Sequence, residues 1–247
     1  MKKWRLISYC EDNAAMQMAI DEALLISKSV NTLRFYSWYP PAISIGFFQS
    51  VNQEVDLDKL KQYQFDIVRR YTGGGAVFHD QEITYSVLLS EDDLDKDILK
   101  SYEEICGAVI CGFKELEIDC QFKPINDIMV NGKKISGSAQ TRRNKMVLQH
   151  GTVLVDVDVA KMFSILKVPD EKLRDKMIND VSECVTSIKN ELNREVAYSE
   201  VVEALKKGFM EKFQIEFCES NLTDEEKNLA RKLYDEKYNT SEWLNQR

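Results

Sequence analysis

The sequence contains few of the residues on which metal-binding, disulfide-bonded and fibrous proteins depend. It has 2 histidines, 4 prolines and 10 glycines in 247 residues. So little Gly and Pro excludes a fibrous or low-complexity chain, and a hydrophobic content of 44% excludes disorder. The six cysteines are scattered without a C-x-x-C pair. They predict free thiols in a reducing, cytoplasmic compartment rather than disulfides or a zinc site.

Long hydrophobic runs are also missing. No segment approaches the ~20 apolar residues that span a bilayer, and Asp12, Asn13 and Gln17 interrupt the region where a signal peptide would lie. With 41 acidic and 33 basic residues, the net charge is −8, which disfavours broad contact with nucleic acid or an anionic membrane. We therefore expect neither as a partner, and any anion site has to be a local exception.

The spacing of hydrophobic residues predicts one mixed α/β unit over 1–247, without internal repeats or a flexible linker. The strand-rich part runs from about 30 to 158. Helices are predicted at 12–29, 57–63, 98–116, 159–166, 170–179, 198–213 and 223–238. Strands are predicted at 33–38, 42–48, 66–70 and 83–89, followed by a β-rich stretch at 120–158 with an Asn-Gly hairpin at 130–133.

The first segment that indicates chemistry is a run of three glycines at 73–75, directly after Arg69 and Arg70. Such a run exposes backbone N–H groups and tolerates positive φ, so it can cradle an anion, and an arginine can add a planar fork of donors. The segment matches neither the Walker A loop nor the G-x-G-x-x-G fingerprint. A plain turn is the alternative, but the preceding arginines and the following His79 favour an anion site.

Two later segments place polar residues in otherwise apolar strands. Asp127 is an isolated carboxylate that suits a hard cation such as Mg²⁺, and Lys134 can point its ammonium into a cleft to stabilise a phosphate or an acyl oxygen. His150 precedes a Gly-Thr strand. The alternatives are a turn aspartate, an exposed lysine and a structural histidine. No Ser-His-Asp triad is predicted, because the G-x-S-x-G motif is absent and neither histidine has an obvious nucleophile nearby in sequence.

Taken together, these segments resemble a known family. The runs RRYTGGGAVFHD (69–80), NDI (126–128), KKISGSAQ (133–140) and HGTVL (150–154) are similar, in order and spacing, to motifs of the lipoate–protein ligase A family. The resemblance extends to NAAMQMAIDEALL near the start and KLYDEKYNTSEW near the end. It implies the catalytic fold shared by class II aminoacyl-tRNA synthetases and biotin–lipoate ligases, an α/β (α+β) fold with mixed, mostly antiparallel sheets flanked by helices.

The resemblance implies an ATP-dependent, two-step acyl transfer. ATP and lipoate would form lipoyl-AMP, which would then be attacked by a lysine of a lipoyl domain, in a 2-oxoacid dehydrogenase E2 subunit or the glycine cleavage H protein. It implies that Lys134 is catalytic and contacts both phosphate and acyl oxygen, and that Asp127 helps to hold Mg²⁺. The implied nucleotide and acyl-adenylate site consists of Arg70, Gly73, Gly74, Gly75, Ala76, Val77, Phe78, His79, Lys134, Gly137, Ala139, His150 and Thr152.

The acyl chain needs an apolar slot, for which the candidates are Phe35, Trp38 and Gly46. Ordinary core packing is the alternative for each of them. A glycine inside a strand often allows another backbone or a ligand to approach closely, which makes Gly46 the strongest of the three.

Two other functions remain open. The segments 34–38 and 46–49 resemble the octanoyl transferase and amidotransferase branch of the family at least as well as the ligase branch. Members of that branch use a cysteine nucleophile on an insertion before the segment matching Asn126–Lys134, and this insertion is missing here. Cys120 is the nearest thiol and falls within a predicted strand. The sequence therefore favours the ligase over an ATP-independent transferase, and a non-catalytic protein that binds lipoyl-adenylate is the third hypothesis.

The C-terminus and a basic cluster suggest two kinds of partner. Many ligases of this family carry a small accessory domain, and the chain stops near the expected end of the large domain. We therefore expect a monomer, and either a separate small protein that supplies the accessory domain or a chain that by itself only transfers preformed lipoyl-AMP. The basic cluster comprises Lys133, Lys134, Arg142, Arg143 and Lys145. It is predicted to dock the acceptor domain, although a solvated hairpin is the alternative.

Overall fold

Helices and strands alternate along the chain much as the hydrophobic pattern predicts. The structure is a computed structural model that describes residues 2–28, 30–167 and 174–246. The strands are β1 (Lys2–Asp12), β2 (Thr32–Trp38), β3 (Ala42–Ile45), β4 (Asp66–Arg69), β5 (Val77–His79), β6 (Glu82–Ser90), β7 (Gln121–Lys123), β8 (Asp127–Val130), β9 (Lys133–Arg143), β10 (Met146–Leu154) and β11 (Ile215–Ser220). The helices are α1 (Ala14–Ser27), α2 (Val51–Glu54), α3 (Leu57–Gln62), α4 (Ile98–Glu115), α5 (Val159–Ile165), α6 (Arg174–Cys184), α7 (Ile188–Leu192), α8 (Tyr198–Phe213), α9 (Asp224–Leu233) and α10 (Ser241–Leu244), with a π-helical turn at Tyr234–Tyr238.

The strands form two sheets of unequal size. The larger one has the order β11-β1-β2-β6-β10-β9-β8-β7, and the smaller one has the order β4-β3-β5. Pairing is parallel for β11-β1, β1-β2 and β3-β4, and antiparallel for the other neighbours. The prediction of mixed, mostly antiparallel sheets flanked by helices is confirmed. Antiparallel strands can be joined by short hairpins, as Asn131 and Gly132, both at positive φ, join β8 to β9.

The main hydrophobic core lies between the larger sheet and helices α4 and α8. Ile105, Val109 and Phe113 of α4 are buried against strand residues such as Tyr85 and Val87. Burial of a side chain of this size stabilises the fold by about 1.5–3 kcal/mol. The helical spacing of apolar residues on α4 is therefore explained by its contact with one face of the sheet.

Helix α1 lies within the helix predicted at 12–29. Asn13 caps it, accepting a hydrogen bond from the backbone N–H of Met16. The helix is buried on nearly all sides, and its polar residues Gln17, Asp21 and Glu22 are also buried. Buried charges need partners, so α1 packs inside the fold only because other elements supply cations and hydroxyl groups to these side chains.

Strand β3 is shorter than predicted, and helix α6 lies further along the chain than predicted. Strand β3 ends at Ile45 rather than at 48, because the chain turns there towards the glycine loop. The helix predicted at 170–179 begins outside the described residues; α6 spans Arg174–Cys184. Within the described residues, no helix is both long enough and apolar enough to cross a membrane.

Candidate functional site

The candidate site is a cavity of about 330 Å³ between the two sheets and helices α5 and α6. Much of its wall consists of apolar side chains, as is usual for a small-molecule site. The walls are formed by Met18, Tyr36, Trp38, Ser44, Arg70, Gly74, Gly75, Ala76, Val77, Phe78, His79, Thr84, Asn126, Lys134, Gly137, Ser138, Ala139, His150, Gly151, Thr152, Leu154, Val157, Val159, Met162, Val181 and Val185.

The triple-glycine loop borders this cavity and is held in place by Arg70. The guanidinium of Arg70 donates to the carbonyl oxygens of Gly73 and Gly75, at 3.0 and 2.9 Å, and to both the carbonyl and the hydroxyl of Ser44, each at 2.8 Å. Burial lowers the pKa of Arg70 to about 10. Because both terminal nitrogens of its guanidinium donate to the protein itself, Arg70 shapes the loop.

The loop approaches strand β3 so closely that position 46 requires glycine. A Cβ added at Gly46 would lie 1.9 Å from the carbonyl oxygen of Gly74. In the same contact, the backbone N–H of Phe47 donates to the carbonyl oxygen of Thr72 at 2.9 Å. Gly46 therefore contributes to the site by letting two backbones meet.

Arg69 has a different role from its neighbour. Its fully buried guanidinium donates to the carbonyl oxygens of Phe47, Gln49 and Leu244 at 2.9, 2.6 and 2.7 Å, with longer contacts to Gly46 and Trp243. It joins the segment after β3 to the C-terminal helix α10. The fork of donors predicted from the Arg-Arg pair is thus used inside the protein by both arginines.

Lys134 lies at the more exposed end of the cavity. Its ammonium is 2.6 Å from a carboxylate oxygen of Asp127, and their side chains are 41% and 28% exposed. A Cβ at Gly137 would lie 2.6 Å from both Cε and Nζ of Lys134. The absence of a side chain at 137 therefore allows the lysine to extend along β9 towards the cavity.

His79 belongs to a chain of buried polar contacts. Its Nδ1 lies 3.0 Å from Glu82 Oε1, and its Nε2 lies 2.6 Å from Ser44 Oγ. The ring stacks on Trp38 with a centroid distance of 3.9 Å. Burial and the charge of Arg70 lower the pKa of His79 well below its ordinary value, so the imidazole is neutral at physiological pH.

Both ring nitrogens of His150 also have polar partners, as those of His79 do. Its Nδ1 lies 3.1 Å from Asp21 Oδ2, and its Nε2 lies 2.7 Å from Thr72 Oγ1. Asp21 also pairs with Arg34 at 2.7 Å. Burial opposes ionisation of Asp21, but the charge of Arg34 and the hydrogen bond of His150 offset it, and the pKa of Asp21 is lowered. This pairing explains how α1 can bury a carboxylate.

The structure places most of the predicted site residues around this cavity. Trp38, Arg70, Gly74, Gly75, Ala76, Val77, Phe78, His79, Lys134, Gly137, Ala139, His150 and Thr152 line it. Gly73 and Gly46 do not line the cavity but contact residues that do, namely Arg70 and Gly74. Asp127 contacts the lining residue Lys134. Phe35 does not reach it: its side chain is buried in the main core, because alternate residues of β2 face opposite sides of the sheet.

Two groups of residues at the site are not among those predicted from the sequence. One is the apolar wall from α5 and the segment around α6, including Met162, Val181 and Val185, which ordinary helix periodicity cannot distinguish from core. The other comprises Ser44 and Glu82. A lone serine in the apolar strand β3 and a glutamate at the start of β6 are polar residues at buried positions, which is the signal that could have identified them.

None of the cysteines lines the cavity, although the sulfur of Cys106 lies 3.6 Å from the hydroxyl of Ser138, which does. All six are free thiols. Burial raises the pKa of Cys106 to about 11 and that of Cys120 to about 12. Because the thiolate is the nucleophile, neither environment activates sulfur.

The predicted basic cluster divides into internal and external members. Arg142 donates to the hydroxyl of Ser101 at 2.7 Å and to the backbone carbonyls of Asp95 and Lys96. Arg143 extends over the ring of Tyr71, with 5.4 Å between the guanidinium carbon and the ring centroid. Arg142 is therefore part of the internal structure, and Arg143 remains a candidate for contact with a partner.

Comparison with known proteins gives consistent matches over the whole chain. The family model described as lipoyl protein ligase A/B catalytic domain matches residues 13–210. An octanoyltransferase LipM of Brevibacillus brevis is 36% identical, with 98% of this chain and 99% of the relative covered. The corresponding protein of Bacillus subtilis is 32% identical, with 97% of each covered.

Among solved structures, a bipartite lipoate protein ligase from Thermoplasma acidophilum superposes with a TM-score of 0.92 at 37% identity, covering 99% of this chain and 96% of its own. A lipoate–protein ligase A bound with ATP gives a TM-score of 0.87 at 35% identity, covering 99% and 98%. Both support the predicted fold.

The predicted ATP-dependent ligase activity is wrong. The curated relatives that match over full length are octanoyltransferases. ATP and Mg²⁺ were predicted only as cofactors of the ligase reaction, so these two predictions are no longer supported. The missing cysteine insertion favoured the ligase, whereas the segments at 34–38 and 46–49 resembled the transferase branch. Asp127, predicted as a Mg²⁺ ligand, forms an ion pair with Lys134 at 2.6 Å. The described residues contain no group of three His, Cys, Asp or Glu side chains that could hold a metal ion.

Proposed function

Because the chain belongs to the lipoyl protein ligase A/B catalytic domain family, we propose that it is an acyltransferase that acts without ATP. It transfers an octanoyl or lipoyl group to the ε-amino group of a lysine on a lipoyl domain or an H protein. The full-length similarity to octanoyltransferases supports the reaction type. The observation that carries the proposal is an apolar cavity with the ammonium of Lys134 and the glycine loop at its open end.

The apolar wall suits the acyl chain. Met18, Trp38, Phe78 and Met162 present rings and thioethers to the cavity, and burial of each CH₂ of a substrate against such a surface contributes about 0.8 kcal/mol. Methionine adapts to irregular shapes, so the cavity can hold either a straight octanoyl chain or the dithiolane ring of a lipoyl group.

The polar end suits the reacting carbonyl. Arg70 holds the carbonyl oxygens of Gly73 and Gly75, and in trans peptides the N–H groups of the following residues point the opposite way. Those residues, Gly74 and Ala76, line the cavity. We propose that these N–H groups and the ammonium of Lys134 stabilise the oxyanion that forms when an amine attacks the carbonyl.

We propose that transfer is direct. An acyl thioester enters with its chain in the cavity, the neutral amine of the acceptor lysine attacks the carbonyl carbon, and the C–S bond breaks. The thiol leaves with the proton that the amine loses, and an amide remains. This route needs no enzyme thiol, in keeping with the placement of all six cysteines outside the cavity lining.

The test uses the purified chain, an octanoyl thioester, an acceptor lipoyl domain and no ATP. We expect the acceptor lysine to be octanoylated, as measured by intact-mass spectrometry. Lys134→Met should reduce the rate at least about a hundredfold, as loss of an oxyanion donor does. Lys133→Met is the matched control, because Lys133 precedes it on the same strand and does not line the cavity. Amide formation that requires ATP would overturn the proposal.

The thiols are tested separately. Cys106→Ala and Cys120→Ser should each retain most of the transfer rate, because neither side chain lines the cavity. A stable thioester between the acyl group and any of the six cysteines, detected by mass spectrometry and removed by hydroxylamine, would contradict direct transfer while leaving the transferase assignment intact.

A further inference from the structure

Glu82 is a buried carboxyl to which the proposed reaction gives no role. It lies at the start of β6, is 1% exposed and does not line the cavity. Its Oε1 accepts a hydrogen bond from Thr84 Oγ1 at 2.7 Å, while its Oε2 is buried without a hydrogen-bond partner in the described residues. A buried oxygen without a hydrogen bond is unfavourable, because it has lost its contact with water. An apolar residue would fill this position without leaving an oxygen unsatisfied, so packing does not explain why residue 82 carries a carboxyl group.

The contacts of Glu82 continue without a break to the glycine loop. Glu82 Oε1 contacts His79 Nδ1, His79 Nε2 contacts Ser44 Oγ, and Ser44 Oγ contacts Arg70, at 3.0, 2.6 and 2.8 Å. The other end of the guanidinium of Arg70 holds the carbonyls of Gly73 and Gly75. The four side chains therefore form one relay from the interior of the larger sheet to the loop at the cavity.

One assignment of protons satisfies every donor in this relay. Arginine has donors only, so Ser44 Oγ accepts from Arg70. The hydroxyl proton of Ser44 is then donated to His79 Nε2. His79 carries its own proton on Nδ1 and donates it to Glu82 Oε1. Burial raises the pKa of Glu82 to about 8, but a proton on the unpaired Oε2 leaves Oε1 an acceptor, so the direction is the same in either state.

We propose that Glu82 is a positioning residue for acyl transfer, which acts through His79 and Ser44 to orient Arg70 and thereby the triple-glycine loop. The inference rests on the proposed function. Without the acceptor at Glu82, the imidazole loses the partner that fixes its tautomer, and the hydroxyl of Ser44 loses its fixed orientation towards Arg70. The loop N–H groups are then less well aligned with the developing oxyanion, and alignment of this kind determines the rate of the chemical step.

The arrangement of Glu82, His79 and Ser44 resembles a catalytic triad in connectivity, but Ser44 is not placed to attack a substrate. Its side chain is fully buried, and its oxygen lies between Arg70 and His79. A nucleophile needs a free path to the carbonyl carbon. We therefore assign Ser44 to the same positioning relay.

The kinetic test compares two substitutions of nearly equal size. Glu82→Gln keeps an acceptor oxygen opposite His79, whereas Glu82→Leu removes it. We expect Glu82→Gln to retain kcat within about threefold and Glu82→Leu to lower kcat about tenfold or more, the loss that about 1.4 kcal/mol of misalignment produces. The KM for the acceptor domain should not change, because its docking surface is not touched. Equal kcat values for the two variants would overturn the proposal.

A matched control separates positioning from loss of stability. Glu226 is another buried carboxyl, 4% exposed, which caps α9 and pairs with Arg5 at 2.7 Å. Glu226→Leu should lower the melting temperature without changing kcat per folded molecule. If it reduces kcat as much as Glu82→Leu does, the effect of Glu82 is one of general stability and the proposal fails.

The imidazoles can also be observed directly, because the chain has only two histidines. In ¹⁵N-histidine-labelled protein we expect the ring of His79 to be neutral with the proton on Nδ1. Glu82→Leu should change the tautomer signature of His79 and leave that of His150 unaltered. A proton on Nε2 of His79 in the unmodified protein would overturn the relay, even if Glu82→Leu does not fold.

Two further outcomes bear on a nucleophilic role for Ser44 and on the proposed acyltransferase function itself. An acyl ester on Ser44, detected by mass spectrometry of the peptide, would replace the positioning role by a nucleophilic one. Failure of the unmodified protein to acylate any acceptor would count against the proposed function, whereas a normal rate in the unmodified protein together with a normal rate in Glu82→Leu would count against this inference alone.

Discussion

The carboxylate of Asp127 lies 2.6 Å from the ammonium of Lys134 at the open end of the cavity. Asp127→Asn should lower kcat about tenfold, because the lysine loses the charge that directs it along β9. The free energy of unfolding should change by less than about 1 kcal/mol, as is usual for an exposed pair. Asp156→Asn is the matched control, since Asp156 pairs with Lys189 at 2.8 Å with similar exposure and neither lines the cavity. Equal loss of activity in both variants would contradict the role of Asp127.

Replacement of Gly46 tests the close approach of β3 and the glycine loop. A Cβ there would meet a backbone oxygen at 1.9 Å, so Gly46→Ala has to displace the loop. We expect destabilisation by about 1–3 kcal/mol and loss of most activity, measured by urea denaturation and acyl transfer. Gly107→Ala provides the comparison, because its Cβ would meet only the flexible end of Lys212 at 3.0 Å. A stable, active Gly46→Ala protein would show that the loop has another position available.

Arg69 tests the connection between the glycine loop region and the C-terminal helix. Arg69→Lys keeps the charge but cannot reproduce a fork that serves several carbonyl oxygens. We expect it to destabilise the fold by about 2–4 kcal/mol, because buried carbonyls lose charge-assisted hydrogen bonds. Arg231→Lys, at a side chain that is 66% exposed, should change the free energy of unfolding by less than about 0.5 kcal/mol. Similar denaturation midpoints for the two variants would contradict this role.

The titration of Glu82 should appear in the pH dependence of stability. Burial raises its pKa from an ordinary value of 4.5 to about 8, so between these values the folded state binds a proton that the unfolded state has released. Stability therefore falls as pH rises through this window, by up to roughly 1.4 kcal/mol per pH unit. Glu82→Gln removes the titration, and its melting temperature should fall less between pH 5 and pH 8. Parallel curves for the two proteins would be evidence against a raised pKa.

The two arginines at the end of β9 should respond differently to charge reversal. Arg143→Glu should raise the KM for the acceptor domain several-fold with little change in kcat, because Arg143 is exposed over Tyr71 and charge at a rim mainly affects association. Arg142→Glu should instead destabilise the protein, because it loses contacts with Ser101 and two backbone carbonyls. If the KM for the acceptor domain is unchanged in Arg143→Glu, this hairpin does not contribute to docking of the acceptor.

The sequence by itself determined the mixed α/β class, most of the helix and strand positions, and the segments that surround the cavity. These properties depend on short-range patterns. Helix α4 is specified by its spacing of apolar residues, the turn at Asn131 and Gly132 by its tolerance of positive φ, and the glycine run at 73–75 by its composition. Order and spacing of the motifs also placed the chain in its family, but they did not separate the ligase from the transferase branch.

Tertiary structure decided what each polar residue does. Arg69 and Arg70 are adjacent and chemically identical, yet one holds the C-terminal helix and the other the glycine loop, because they lie on opposite sides of the chain at the end of β4. Likewise, Ser44, His79 and Glu82 form a relay only because β3, β5 and β6 converge at the cavity. A sequence pattern specifies the local backbone, whereas the partner of a buried charge is set by packing between segments that lie far apart in the chain.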